Sequence, residues 1–458
     1  MKHKNKEIKV IFAFLALMFA VFLALPMVRL LLKSFLGDSG FSLESYLSVF
    51  ASRGFGKALG NSFLVASVSA LTTTAIAFLL AYTIHYTNVS GRAKSLIRGA
   101  ALLPMLLPTI TYGFSIIYSF GKQGLLTRLF GRQLFDIYGF NGLLLGYVIY
   151  TLPISFLLIN NTMGYIDKKY MIVSRIMGDN GLSAFMMTII RPLLGTLAAS
   201  FIQSFFLCFT DFGIPASVGG KFQVIAGVLY NEMLGSVPDF NNGAVVAMVM
   251  LIPSVASILV LQYLERYNVR YSKISVIELH KNKARDWVCG ILSTLIITGV
   301  LSVFAVIFVV PFVSEWPYEI RFTLEHVTAV FADDALFGVC KNSLFTAIVT
   351  AVFGTLAAYG AALVTARSTV NKKLKNIIEG IALITNTIPG MVIGLAFLFS
   401  FSGTAVQSTF FIIIVCNVIH FFSTPYLMMK NSLAKMNASW ETTAMLMGDN
   451  WVKTILRV

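Results

Sequence analysis

The sequence predicts an all-α membrane protein: a tandem parallel repeat of about six transmembrane helices per copy, the second copy truncated. Three observations predict it. The chain is too apolar for a water-exposed surface, it carries apolar stretches of bilayer length, and one module recurs at a fixed offset. Of its 458 residues, 57% are hydrophobic and only 12% charged, and mean hydropathy is +0.81. Soluble domains carry roughly 25% charged residues, so soluble and disordered classes are poor fits.

Ten stretches approach the ~20 residues a helix needs to cross a bilayer. They lie near Val10–Leu32, Ser62–Ile84, Ala100–Phe120, Gly142–Ile159, Leu194–Phe212, Ala244–Leu264, Val288–Val313, Leu344–Ala366, Ile377–Phe399 and Thr409–Met429. Lys2, Lys4, Lys6 and Lys9 precede the first, as they would in a signal peptide. Its apolar run is too long for one and no small-x-small cleavage site follows, so it reads as an uncleaved helix. Cys208, Cys289, Cys340 and Cys416 match no metal-ligand spacing and read as small hydrophobes in or beside apolar runs.

Lys and Arg set the orientation. The N-terminus is basic, as are Arg92, Lys94 and Arg98 after the second stretch and Lys168, Lys169 and Arg175 after the fourth. Arg266, Arg270, Lys273, Lys281, Lys283 and Arg285 follow the sixth, and Arg367, Lys372, Lys373 and Lys375 the eighth. Lys122, Arg128 and Arg132 are the main exception. The pattern places the N-terminus in the cytoplasm. It also accounts for the net charge of +15 without nucleic acid.

The repeat is ordered. Phe41-Ser42-Leu43-Glu44 returns as Phe322-Thr323-Leu324-Glu325, Val49-Phe50 as Val330-Phe331, and Asn61-Ser62 as Asn342-Ser343. Pro108 and Gly113 return as Pro389 and Gly394, all at an offset of 281 residues. Met177-Gly178-Asp179-Asn180 returns as Met447-Gly448-Asp449-Asn450 at an offset of 270, which shortens a link inside the second copy. Six spans separate the copies, so both run the same way through the membrane and a pathway is expected between the halves. The expected domains are a first module at 1–270, a cytoplasmic linker at 271–285 and a second module at 286–458. After Gly178 the first copy continues through two more spans, whereas the sequence ends soon after Gly448. The expectation is a fragment lacking two helices.

The segment Ile166–Arg191, on the basic side, contains Gly178, Phe185, Ile189 and then Pro192. Its counterpart contains Glu441, Thr442, Thr443, Ala444, Gly448 and Ile455. This pair resembles the coupling loop of bacterial ABC importer permeases, whose pattern is E-A-A, a Gly further on, an apolar run and a closing Pro. The first copy departs from it: Ile172, Val173 and Ser174 hold the E-A-A positions and Pro192 comes one residue late. In the second, Glu441 falls one residue early. Two fused modules, Asp211-Phe212-Gly213-Ile214-Pro215 with Gly219-Gly220, and the link Gly121–Tyr138 resemble the ferric-iron, thiamine and 2-aminoethylphosphonate group of that family.

The resemblance implies the type I ABC importer permease fold in a bacterial inner membrane. It also implies two loops that dock on an ABC ATPase, a homodimer bridging both. The coupling residues it implies are Gly178, Asp179, Asn180, Phe185, Glu441, Gly448, Asp449 and Asn450. An extracytoplasmic solute-binding protein would deliver the solute, with ferric iron favoured and phosphonate or thiamine next.

No phosphate-binding G-x-x-x-x-G-K-[ST] occurs, and Gly219-Gly220-Lys221-Phe222 lacks its Ser or Thr. The chain therefore reads as no enzyme and holds no cofactor; ATP and Mg²⁺ belong to the partner subunit. Polar groups inside spans mark candidate pathway positions. They are Thr109 and Tyr112 around Pro108, Asn386 and Thr387 before Pro389, and Asp211, for which helix capping and solute contact are equally good readings. Prolines there free backbone carbonyls, so a kink and a pathway lining are compatible. Arg98 and Glu379 are repeat equivalents. The alternative function, an ion-coupled secondary transporter, predicts paired intramembrane carboxylates, of which the stretches hold few.

Overall fold

A computed structural model describes residues 6–37, 40–264, 282–368, 371–385, 387–436, 439–447 and 453. The first copy opens with α1 (Glu7–Ser34), a hairpin of β1 (Leu36–Gly37) and β2 (Gly40–Phe41), then α2 (Glu44–Ala51) and the long α3 (Arg53–Tyr86). Next come α4 (Gly91–Leu102), α5 (Thr109–Phe120), α6 (Leu125–Phe130), α7 (Phe140–Gly164) and α8 (Lys169–Ile176). The copy continues through α9 (Gly181–Thr210), α10 (Gly213–Val218), α11 (Ile225–Leu234) and α12 (Phe240–Leu264).

The second copy follows with α13 (Lys283–Val309), β3 (Val313–Glu315), β4 (Glu319–Phe322), α14 (Glu325–Ala332) and α15 (Asp334–Ala362). It closes with α16 (Lys372–Thr385), α17 (Gly390–Phe401), α18 (Phe410–His420), α19 (Ser423–Lys435) and α20 (Ser439–Leu446). Among the described residues the two hairpins are the only sheets, and both are antiparallel.

Among the described residues, seven helices are long and apolar enough to cross a membrane, and two bent pairs pass the same test together. The chain is a multi-pass membrane protein. Three of the ten apolar stretches are interrupted. The third bends by 111° between Leu106 and Thr109, and the tenth by 52° between His420 and Ser423. The ninth is divided into α16 and α17.

Proline explains two of the breaks. Pro108 and Pro389 are the N-caps of α5 and α17, with ψ of 151° and 140°. Leu107 before the first is extended, at φ −113° and ψ 146°. A proline clashes with a helical residue before it and has no N–H to continue the ladder. The prolines repeated in sequence thus mark breaks repeated in structure.

The chain forms two compact units, residues 44–332 and residues 1–43 with 333–458. These differ from the sequence copies. The first helix of each copy packs with the body of the other: α13 lies with α3, α4 and α5, and α1 with α15 and α17.

In the unit 44–332, α3 is the central pole against α7 and α9. Ala58, Ala66, Ala70, Ala77 and Ala81 on α3 are fully enclosed; small side chains let helices approach closely in a membrane, where lipid competes for apolar contact. Buried hydroxyls add bonds across the seams: Thr73 to Thr151 at 3.0 Å, Thr74 to Ser200 at 3.3 Å, and Ser155 to Ser204 at 2.6 Å. Thr83 and Ser293 join α3 to α13 at 2.8 Å.

In the other unit, the Arg29 guanidinium on α1 donates to the Ser400 carbonyl at 2.7 Å, and Phe19 packs edge-on to Phe422 with centroids 4.8 Å apart. Tyr426 on α19 donates to Thr365 at 3.2 Å.

One detail repeats at the same offset of 281. Lys94 Nζ donates to the Thr87 carbonyl at 2.6 Å, and Lys375 Nζ to the Ser368 carbonyl at 2.7 Å. Ser90 caps α4 by accepting the Ala93 N–H, and Asn371 accepts the Lys373 N–H. These lysines close the open carbonyl end of the preceding helix.

Ala66 and Ala70 are fully enclosed and Thr74 nearly so. Ala70→Leu is therefore expected to overpack α3 and cost about 1–3 kcal/mol. Melting in detergent checks this, and a variant that melts with the wild type would contradict it.

Candidate functional site

Two regions hold the residues singled out in sequence. The first is the turn between α8 and α9. Gly178 has φ +83°, the left-handed region where a Cβ meets the following carbonyl and glycine alone is at ease. The Asp179 N–H donates to the Ser174 carbonyl at 3.1 Å, a six-to-one bond that closes a helix ending in a left-handed residue. The Ser174 hydroxyl donates to Asp179 Oδ2 at 2.5 Å. Asn180 then caps the start of α9, its Oδ1 accepting the Ser183 N–H at 2.8 Å. Asp179 and Asn180 thus end one helix and begin the next within two residues.

Phe185 anchors this helix–turn–helix to the central pole. Its ring meets Phe78 at 6.2 Å and Tyr82 at 5.9 Å, both nearly edge-on. At the entry to the turn, Lys168 Nζ lies 5.7 Å over the Tyr86 ring, and burial holds its ammonium below the ordinary lysine range. The outer face of the turn is bare and apolar: Ile176, Met177 and Leu182 are 80%, 77% and 73% exposed.

In the second copy, Glu441 falls within α20. Gly448, Asp449 and Asn450 lie outside the described residues.

The second region surrounds the break at Pro108. Asp211 follows α9 and is half-buried. Its Oδ2 accepts the Ile214 N–H at 2.9 Å, and the Thr109 hydroxyl also hydrogen-bonds its carboxylate. The structure therefore brings Thr109 and Asp211 together, at the starts of α5 and α10. Tyr112, one turn along α5, is 1% exposed, and its hydroxyl donates to the carbonyls of Pro104 and Leu107. The Pro104 carbonyl also accepts the Leu107 N–H at 3.3 Å, so Tyr112 adds a side-chain bond at the break, where Pro108 has no N–H to offer.

The short α10 is wedged in by glycines. A Cβ on Gly113 would stand 1.9 Å from Ser217 Oγ, one on Gly213 2.2 Å from Thr109 Oγ1, and one on Gly146 2.7 Å from Ile214 Cγ2. In the other unit, the Thr387 hydroxyl turns back to the Ile384 carbonyl at 2.8 Å, and Asn386 lies outside the described residues. Glu379 pairs with Lys430 at 2.7 Å.

Sequence reasoning passed over Tyr150, whose ring lies 6.1 Å from Tyr112, and His420. The latter sits against Gly390 at the head of α17, where a built Cβ would meet its ring at 3.4 Å. Its Nδ1 is buried with no hydrogen-bond partner among the described residues. Both occupy the same offset of 270, a signal available once the fourth spans are aligned.

No protein-family model matches the chain. Over 406 residues it is 24% identical to the ferric transport system permease protein FbpB of Actinobacillus pleuropneumoniae, covering 85% of this chain and 58% of that protein. The putative ferric transport system permease protein FbpB 1 of Haemophilus influenzae is also 24% identical, over 85% of this chain and 63% of its own. The chain is a homologue of transport-system permeases. The thiamine transport system permease protein ThiP of Salmonella typhimurium matches a shorter part, 28% identical over 45% of this chain and 39% of that one. This permease homologue spans about three-fifths of the length of its two ferric relatives. Its relatives are named as transport components rather than as enzymes.

Proposed function

We propose that this chain is the transmembrane permease subunit of a binding-protein-dependent ABC importer. It moves a small solute into the cytoplasm, with ferric iron favoured and phosphonate or thiamine next. One observation carries this reading: the glycine-closed turn at Gly178 presents Ile176, Met177 and Leu182 as a bare apolar face on a rigid base. A membrane machine driven from outside needs such a lever, because a flexible loop would dissipate the motor's movement. Asp179, Asn180 and Phe185 hold the lever in shape, and the segment with Glu441, Gly448, Asp449 and Asn450 serves as its counterpart.

ATP and Mg²⁺ are bound by a separate ATPase, a homodimer, and a solute-binding protein docks on the opposite side. The chain itself catalyses nothing. It sits in a bacterial inner membrane with its N-terminus in the cytoplasm. Thr109, Tyr112, Asp211, Asn386 and Thr387 lie along or beside the route of the solute. The names of the ferric relatives along 85% of the chain favour iron over the alternatives. Ion-coupled secondary transport is disfavoured because the apolar stretches hold few carboxylates, Asp211 and Glu379 alone.

The test is purification of the tagged chain together with its genomic neighbours. An ATPase is expected to co-purify from the wild type, and its recovery to fall about tenfold or more when Ile176→Asp and Leu182→Asp put charge on the docking face. Equal recovery from both would retire the docking assignment.

A further inference from the structure

We propose that the groove between α4 and α13 is a binding site for an anionic glycerophospholipid. A cavity of about 560 Å³ opens there, lined by Arg92, Ser95, Leu96, Gly99, Leu103 and Leu301. Arg92, Ser95, Leu96 and Gly99 have the spacing of one helix face, and all four are exposed. A Cβ on Gly99 would meet nothing within 4 Å, so the missing side chain leaves the groove open.

The groove has a polar end and an apolar end. Arg92 stands at the start of α4, close to the start of α13, because the Asn88 N–H donates to Asp286 Oδ1 at 3.2 Å. Leu301 lies about 27 Å along α13 from Lys283, at 1.5 Å per residue. A ligand filling the groove therefore meets a guanidinium and a hydroxyl at the membrane boundary and only hydrocarbon deeper in. That order fits an amphiphile with an anionic head and excludes a soluble anion, which would have to abandon water for the Leu103 and Leu301 end.

The charge specifies the head group. The helix Gly91–Leu102 carries Arg92, Lys94 and Arg98 and no acid. Lys94 is committed to the Thr87 carbonyl and Arg98 is not among the residues lining the groove, which leaves Arg92 to meet a phosphate with its planar fork of donors. Basic pockets between spans on the positively charged side attract acidic lipids in this way. The site concerns lipid binding alone and stands apart from the transport reading.

The experiment is native mass spectrometry of the full-length chain in detergent, with phosphatidylglycerol and phosphatidylcholine as competing probes. The wild type is expected to retain phosphatidylglycerol preferentially. The preference is expected to fall about fivefold or more in Arg92→Gln, which removes the head-group contact, and in Gly99→Leu, which fills the groove. Circular dichroism confirms that each variant is helical; should Gly99→Leu fail to fold, the exposed Arg92→Gln decides. Equal retention of both lipids by the wild type, bulk bilayer lipid only, overturns the proposal. So does a preference that survives Arg92→Gln.

Discussion

A Gly178→Val chain is expected to fold, reach the membrane and lose about tenfold or more of its ATP-driven uptake. The cost lies in conformation rather than in crowding. A Cβ at Gly178 meets nothing within 4 Å, so no neighbour is displaced. At φ +83°, however, a β-branched residue costs roughly 1–3 kcal/mol, and the isolated turn is the cheapest thing to yield. Once it yields, the Asp179 N–H no longer reaches the Ser174 carbonyl and the face of Ile176, Met177 and Leu182 loses its base. The core of α3, α7 and α9 is untouched, so helicity and melting temperature should hold. Asparagine tolerates the left-handed region better than other side chains, and Gly178→Asn is expected to recover most of the coupling. Full uptake by the valine variant, with ATPase stimulation intact, would sink the lever.

The second large effect is expected at the wedge. Gly113→Val places a Cβ 1.9 Å from Ser217 Oγ, on a helix packed face to face with α10. Something must shift, and α10 has little room, since Gly146 meets Ile214 from its other side. The expected cost is about 3 kcal/mol, at the upper end for overpacking, seen as a lowered melting temperature and poor yield. The pair is separable by a double-mutant cycle. Gly113→Ala should be destabilising alone and partly rescued by Ser217→Gly, because the clash is with that one side chain. If Gly113→Val melts with the wild type, the close approach of α5 and α10 is wrong.

Much of this architecture was legible before any coordinates, for physical reasons that differ by element. Among the described residues the ten apolar stretches fall on helices, three of them broken, because a bilayer leaves the backbone no partner but itself. The breaks at Pro108 and Pro389 followed from a missing N–H, and their recurrence followed from the repeat. The size of the first break, 111°, did not follow, since a missing N–H places a break without fixing its angle. The exchange of α1 and α13 between the two bodies was also invisible. Periodicity says which face of a helix is apolar, but not which neighbour covers it.

In the turn, Gly178, Asp179 and Asn180 were marked by repetition and by the resemblance to a coupling loop, and their roles as helix stop and helix start emerged from the backbone. Phe185 was marked by that resemblance alone, its repeat equivalent being Ile455, and its partners Phe78 and Tyr82, about a hundred residues earlier, carry no sequence signal. Tyr150 and His420 were missed because an aromatic side chain in an apolar run looks like core. Glu379 was matched to Arg98 by offset, whereas it bonds Lys430, a partner that only the packing of α16 on α19 supplies.

The most direct test is solute uptake in proteoliposomes holding the chain with its co-encoded ATPase and solute-binding protein. The prediction is uptake of radiolabelled ferric iron that requires ATP, the ATPase and the binding protein together, and that persists when ionophores collapse every ion gradient. Uptake without the ATPase, driven by an ion gradient alone, would contradict it.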